Sequence, residues 1–250
     1  MSHALELENV TKRFGAKVAV DHLNLKVETG SFLGLLGRNG AGKSTTLKML
    51  MGLVKPTSGS IRVLDMSIER DDVAIKRQVG VLAEDVAPPE YLTGAQFLRF
   101  VGRMYGLEDA VADARGEELC AKLELAPVPG TLIASYSYGM KKKLALCAAL
   151  IHAPRLLILD EPFEGIDAVS SRTIKDILES LQRRGVTIIL SSHIMDVVER
   201  LCPLVAIMSE GRLLDYGTVA ELHVRAGTDR LETLFVQAVG GGTTGDLSWL

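Results

Sequence analysis

The segment Gly37-Arg38-Asn39-Gly40-Ala41-Gly42-Lys43-Ser44 constrains this chain more than any other. It follows Phe32-Leu33-Gly34-Leu35-Leu36, a continuous apolar run of the kind buried on both faces of a parallel sheet, and it leads into a helix-forming stretch that ends near Gly52. The spacing G-x-x-x-x-G-K-S between a strand and a helix predicts a phosphate-binding loop. Its glycines let the backbone N–H groups of residues 40–45 turn inward around an anion, at a helix N-terminus whose dipole favours negative charge. Lys43 is expected to place a point charge on the β- and γ-phosphates of a nucleotide, and the Ser44 hydroxyl to ligate Mg²⁺.

Around this segment the pattern predicts an α/β chain. Leu5 to Val10, Lys17 to Val20 and Asn24 to Val27 read as short strands broken by Gly15 and Asp21, and Ser60 to Leu64 as another after the turn Pro56-Thr57-Ser58-Gly59. From about Pro88 the period becomes helical. Thr93-Gly94-Ala95-Gln96 fits a capping box, and Phe97, Leu98, Val101, Met104 and Tyr105 recur at helical spacing, a face that suits either plain core or a partner. Leu119, Leu123 and the run Leu144 to Ile151 carry the helical stretch to about His152. Strands return at Leu156–Leu159 and Val186–Leu190, flanking a helix whose face is Ile174, Ile177, Leu178 and Leu181. The expected organisation is one domain over 1–235, an α/β core with a helical insertion at about 88–152. A Gly-rich tail at 236–250 follows, with Trp249 beyond Gly240-Gly241-Gly242.

Composition removes several classes of function. At 250 residues, 47% of them apolar, the chain buries a real core and is not a solvating segment. The mean hydropathy of +0.21 calls for a search for spans. The longest apolar run, Leu144 to Ile151, falls far short of the roughly 20 residues a spanning helix needs. Met1-Ser2-His3-Ala4-Leu5-Glu6 lacks the basic and apolar regions of a secretory signal. Cys120, Cys147 and Cys202 lack metal-ligand spacing and are expected as buried reduced thiols. A net charge of −3 gives no field for nucleic acid, and the basic run Lys141-Lys142-Lys143 is expected on a solvated face.

A phosphate loop needs a carboxylate for its metal. Leu156-Leu157-Ile158-Leu159-Asp160-Glu161 puts two acids at the end of an apolar strand, where a bare charge is costly. Asp160 suits Mg²⁺ and Glu161 can point at an attacking water, while Glu164 in the next turn is expected to be exposed.

With both elements in place the chain resembles the ATP-binding-cassette ATPase family, over about residues 4–235. Tyr136-Ser137-Tyr138-Gly139-Met140 stands where the family has its LSGGQ signature, Gly165-Ile166-Asp167 looks like its D-loop, and Ser191-Ser192-His193 ends a strand as its switch histidine does. Phe14 stands where the family stacks an aromatic on adenine. Tyr136, Tyr138 and Met140 replace the usual Leu, Gly and Gln, and Glu84 replaces the family's Q-loop glutamine. The variant signature followed by three lysines is similar to stand-alone subunits of export-type or drug-resistance-type transporters.

The resemblance implies a P-loop core with an N-terminal antiparallel β subdomain, and an ATPase using ATP and Mg²⁺. It implies Lys43, Glu161 and His193 as catalytic residues, with Ser44, Asp160 and Glu84 toward the metal. Phe14, Gly37, Arg38, Asn39, Gly40, Ala41, Gly42, Lys43, Ser44 and Thr45 would bind ATP in one copy, and Ser137, Gly139 and Asp167 would meet it from a second, in a head-to-tail dimer. The partners implied are a separate transmembrane permease and a second copy or homologous subunit, at the cytoplasmic membrane face. Three other readings are weaker: a soluble cassette ATPase acting on nucleic acid or ribosomes, for which no basic patch is seen; a P-loop GTPase or kinase, for which an N-K-x-D motif is absent; and a catalytically dead regulatory subunit, against which Glu161 and His193 both stand.

Overall fold

The computed structural model describes residues 2–85, 87–125, 130–228 and 230–239. The glycine-rich tail and Trp249 lie outside them. Two long strands, β1 (His3–Phe14) and β2 (Lys17–Glu28), pair antiparallel around Gly15. Asp21 does not break the second strand as expected. Shifts in register between Leu7 and Val10 and between Val10 and Lys12, with Asn9 and His22 at positive φ, absorb the polar residues as bulges. β3 (Phe32–Leu36) then enters the phosphate loop, followed by α1 (Lys43–Leu50), β4 (Ser58–Val63) and β5 (Met66–Ser67). β2, β1, β4 and β5 form an antiparallel sheet in that order.

After α2 (Asp72–Lys76) and β6 (Val79–Leu82) come the inserted helices α3 (Gly94–Met104), α4 (Asp109–Lys122) and α5 (Tyr138–Leu150), with a short 3₁₀ turn at Ile133–Ser135. The Thr93 capping box forms as expected: Gln96 N donates to Thr93 Oγ1 at 3.2 Å and Thr93 N donates to Gln96 Oε1 at 2.9 Å. Phe97 and Val101 pack on the core, whereas Phe100 and Met104 on the same helix are exposed. β7 (Leu156–Asp160), α6 (Ala168–Arg183), β8 (Thr187–Ser192), α7 (Met195–Leu201), β9 (Leu204–Ser209), β10 (Arg212–Thr218), α8 (Val219–Ala226) and α9 (Leu231–Val239) complete the chain. α9 runs past the boundary drawn at 235.

The main sheet has the order β10-β9-β3-β8-β7-β6, parallel except for the β9–β10 hairpin at one edge. β3, β7 and β8 are buried at every residue because both faces are covered. Alternate residues serve different cores, as the period of a strand requires. Leu33, Leu35, Ile158 and Ile189 join the antiparallel sheet, α1 and α2, while Phe32, Leu36, Leu157, Leu159, Ile188 and Leu190 join the other helices. Register fixes the outcome that matters for function: Leu36 lies beside Ser192, and Asp160 beside Ser191. Among the described residues no helix is long and apolar enough to cross a membrane.

Candidate nucleotide-hydrolysing site

Parallel strands deliver whatever follows them to one edge of the sheet, and ligands of such sheets bind there. The phosphate loop after β3, Asp160-Glu161 at the end of β7 and Ser191-Ser192-His193 at the end of β8 therefore meet. A pocket of about 220 Å³ at this edge is lined by Lys17, Ala19, Asn39 to Thr45, Glu84 and Glu161. Gly42 caps α1 with φ 103°, and a Cβ there would stand 2.6 Å from the Ala19 carbonyl oxygen, so the turn requires glycine. No side chain caps α1 and its first turn holds no acid, which leaves its N–H groups available to an anion. Lys43 Nζ donates to the carbonyl oxygens of Gly37 at 2.7 Å and Arg38 at 3.5 Å and lies 3.7 Å from Glu161 Oε1. Gly37 and Arg38 thus act through their carbonyls; the Arg38 side chain is exposed.

The acid pair is held from three sides. Asp160 Oδ1 accepts from Ser44 Oγ at 3.3 Å and from Ser191 Oγ at 2.5 Å. The Ser191 hydroxyl also accepts from the Glu161 amide at 3.0 Å, and His193 Nδ1 lies 3.0 Å from Glu161 Oε1. Glu161 adopts φ 46°, a left-handed backbone that the Cβ of any non-glycine residue disfavours. Strain of this kind persists only where neighbours over-determine it, and here they do. Ser191, fully buried, was legible only as part of a tripeptide ahead of His193.

A second missed residue overturns an expectation. Lys142, read as part of a solvated basic run, is 1% exposed, and its Nζ donates to the Glu161 carbonyl at 2.6 Å and the Glu164 carbonyl at 2.9 Å. The signal was present: on a helix, position 142 shares a face with Leu146 and Leu150, both buried. Lys141 pairs with Glu90 at 2.6 Å, and Glu164 is exposed as expected.

Mg²⁺ fits the Ser44–Asp160 pair, since this ion takes one or two protein oxygens together with phosphate oxygens rather than an all-protein cage. Among the described residues no group of three or more acids, histidines or cysteines could hold a metal, so Glu84 does not complete a three-carboxylate site with Asp160 and Glu161. Glu84 nonetheless feels that charge. Partial desolvation of this mostly exposed side chain raises its pKa, and the carboxylates of Asp160, Glu164, Asp85 and Glu161 raise it further, an excess of negative charge that a cation would relieve.

Eight expected site residues lie outside the pocket lining: Gly37, Arg38, Asp160 and His193, described above, and Phe14, Ser137, Gly139 and Asp167. Phe14 is half exposed at the end of β1, with Lys12 Nζ 4.9 Å from its ring centroid. Ser137 caps α5 by accepting from Met140 N at 3.3 Å, and Asp167 caps α6 by accepting from Ser170 N at 2.9 Å. Gly139 lies against Gly165, next to the ring of Tyr138, so the signature and D-loop segments adjoin. Ser137 and Asp167 are exposed.

The model of the family described as ABC transporter matches residues 20–164. The linearmycin resistance ATP-binding protein LnrL of Bacillus subtilis is 37% identical over 235 residues, covering 94% of this chain and 76% of that protein. A solved ATP-binding subunit of an ABC transporter superposes with a TM-score of 0.88 at 30% identity, over 94% of this chain and 99% of the other. A dimeric ATP-binding cassette in a post-hydrolysis state with ADP and Pi shares the fold, with a TM-score of 0.79 at 22% identity over 86% of this chain and 98% of the other. A phosphate loop, an acid pair and a strand-end histidine gathered at one sheet edge, on a chain that matches these proteins along most of its length, place it among them: it belongs to the ABC transporter family, as an ATP-binding subunit.

Proposed function

We propose that this chain hydrolyses ATP at the edge of its parallel sheet and, as a head-to-tail pair of copies, drives a separate permease. The observation that carries the reading is the convergence of Lys43, Ser44, Asp160, Glu161 and His193 at the ends of three adjacent strands. Lys43 and the α1 N–H groups bind the phosphates. Glu161 takes a proton from water as the water oxygen bonds to the γ-phosphorus, and the bond to the β–γ bridging oxygen breaks so that ADP leaves with its electron pair. His193 holds the Glu161 carboxylate in place. Mg²⁺ on Ser44, Asp160 and phosphate oxygens would neutralise charge on the phosphates. Phe14, exposed on β1, is assigned to the adenine.

Ser137, Gly139 and Asp167 stand outside their own chain's pocket, on adjoining segments with two exposed helix caps, which suits contact with ATP bound to a second copy. Tyr91 in the turn before α3, with Phe100 and Met104 on α3, exposes apolar surface, and we assign the permease to that face. Attachment at the cytoplasmic face of the membrane follows from that partner, and the name of the relative favours an export-type, resistance-type transporter. Glu161→Gln is the test. Turnover should fall by about 10²-fold or more while ATP binding is kept, as expected when a positioned proton acceptor is lost, and an ATP-dependent dimer should accumulate in size-exclusion chromatography. Wild-type turnover in that variant would refute the reading.

A further inference from the structure

Lys142 is a charged side chain taken almost wholly out of water without a carboxylate partner. Among the described residues no acid lies within ion-pair distance of its ammonium, which donates instead to the neutral carbonyls of Glu161 and Glu164 and lies 5.5 Å from the centroid of the Tyr138 ring. Burial lowers its pKa, against the upward pull of Glu164, Glu161, Glu84 and Asp160. A leucine or methionine would fill the same space without that desolvation.

The two carbonyls belong to one turn, the one that carries Glu161 and runs on to Gly165 and Asp167. Glu161, at φ 46°, is gripped on both sides of its Cα: β8 holds its amide through Ser191, and α5 holds its carbonyl through Lys142. The turn's own bonds, Glu164 N to the Glu161 carbonyl at 3.2 Å and Ile166 N to the Phe163 carbonyl at 3.3 Å, are long and leave it dependent on these outside contacts. Gly165 packs beneath Tyr138, where a Cβ would stand 2.6 Å from the ring, so the same helix presses on the far end of the turn.

We propose, on the reading of Glu161 as proton acceptor, that Lys142 is a positioning residue for hydrolysis: from the helix capped by Ser137 it holds the Glu161–Glu164 turn and so keeps the Glu161 carboxylate against His193 and Lys43. The helix whose N-terminus faces a second copy is thereby tied to the chain's own catalytic carboxylate.

The test uses the full chain with Lys142→Met, Lys142→Gln, Glu161→Gln and the double variant Lys142→Met/Glu161→Gln. A fluorescent ATP analogue reads binding, steady-state hydrolysis reads kcat and KM, and amide exchange reads residues 161–166. Lys142→Met should bind the analogue within about twofold of wild type and lose about 10- to 100-fold in kcat, the scale of a roughly 1 Å misplacement. Exchange at the Glu161, Glu164 and Ile166 amides should rise, since these bonds would open locally. Lys142→Gln, which keeps an N–H donor, should recover part of both losses, and it carries the test if the methionine variant does not fold. Because Lys142 acts through Glu161, the double variant should be no slower than Glu161→Gln alone. Unchanged exchange at the turn, unchanged kcat, an equal loss of binding and kcat, or losses that add in the double variant would each overturn the proposal. Wild-type turnover in Glu161→Gln would instead refute the role of Glu161, and the exchange result would still report whether Lys142 holds the turn.

Discussion

Ser191→Ala removes two hydrogen bonds with one atom. The hydroxyl donates to Asp160 Oδ1 at 2.5 Å and accepts from the Glu161 amide at 3.0 Å, and the residue is 0% exposed. A buried amide left without an acceptor costs about 1–3 kcal/mol, and a lost bond to a charged group about 1.5–3 kcal/mol. Asp160 keeps only its longer contact with Ser44, at 3.3 Å. The left-handed Glu161 also loses one of the contacts that hold it, so relaxation of that strain recovers part of the cost. We expect a net loss of about 3 kcal/mol, a large fraction of the 5–15 kcal/mol typical of a domain. Urea unfolding should show it as a lower midpoint at unchanged slope, and turnover should fall as well. Ser192→Ala is the control. Ser192 is also buried, but its hydroxyl only accepts from Ile194 N at 3.0 Å, and its removal should cost about 1 kcal/mol. If Ser191→Ala cost no more than Ser192→Ala, the bridging role of Ser191 would be wrong.

Two other perturbations test the electrostatics. Glu84→Gln should leave the ATPase activity of the isolated chain nearly intact and raise its stability to urea at neutral pH. Because the wild-type carboxyl has a raised pKa, that advantage is present above the folded pKa and should vanish as pH falls through it; an advantage that persisted in acid would not be electrostatic. His152, whose ring stacks on Tyr105 with centroids 3.7 Å apart, has its pKa lowered by burial to about 4. Above the unfolded value near 6.5 it costs nothing, and stability is lost as pH falls from there toward 4. The full shift corresponds to about 3 kcal/mol, and about half that for a ring still partly open to water. His152→Phe should flatten this part of the urea stability profile between pH 6.5 and 4, and an unchanged slope would refute the burial of a neutral ring.

What was legible in the sequence was what short-range chemistry dictates. The phosphate loop demands glycines at fixed spacing, a double-sided strand reads as a pure apolar run, and Thr93 with Gln96 closes a capping box wherever a helix starts. What was not legible depended on burial supplied by distant segments. Lys142 looks solvated because its neighbours are lysines, and only the helical period places it beside Leu146. Ser191 is an ordinary strand serine until β7 brings Asp160 alongside it. Asp21 reads as a strand breaker, yet Arg212 from the far hairpin donates to it at 2.8 Å and, with His22, lowers its pKa, so the polar residue stays in the strand. The strands β9 and β10 were missed although Glu210-Gly211, both at positive φ, is a turn suited to a tight hairpin.

Burial also explains why stability and hydrolysis share residues here. Among the described residues the buried charged side chains are Lys43, Lys142, Asp160 and Glu161. Each would be costly alone in an apolar core, and all four lie at one end of β7 or contact the turn beyond it. As a set they are two cations and two anions, which limits the desolvation each must bear. The arrangement is not symmetric. Lys43 lines the pocket, where phosphate oxygens would compete with Gly37 and Glu161 for its donors, while Lys142 lies outside the pocket lining, bonded to the carbonyls of Glu161 and Glu164. One cation is therefore free to follow the reaction and the other is not. A substitution at Lys43 should change binding first, and one at Lys142 should change the geometry of the acid first. The exposed Glu84 and Glu164 add negative charge on the solvent side of this neutral set, which favours the approach of a divalent cation to Asp160 and not of a bare phosphate. On that ground, MgATP should bind more tightly than ATP with the metal chelated, and binding that was indifferent to chelation would show that the carboxylate excess plays no part.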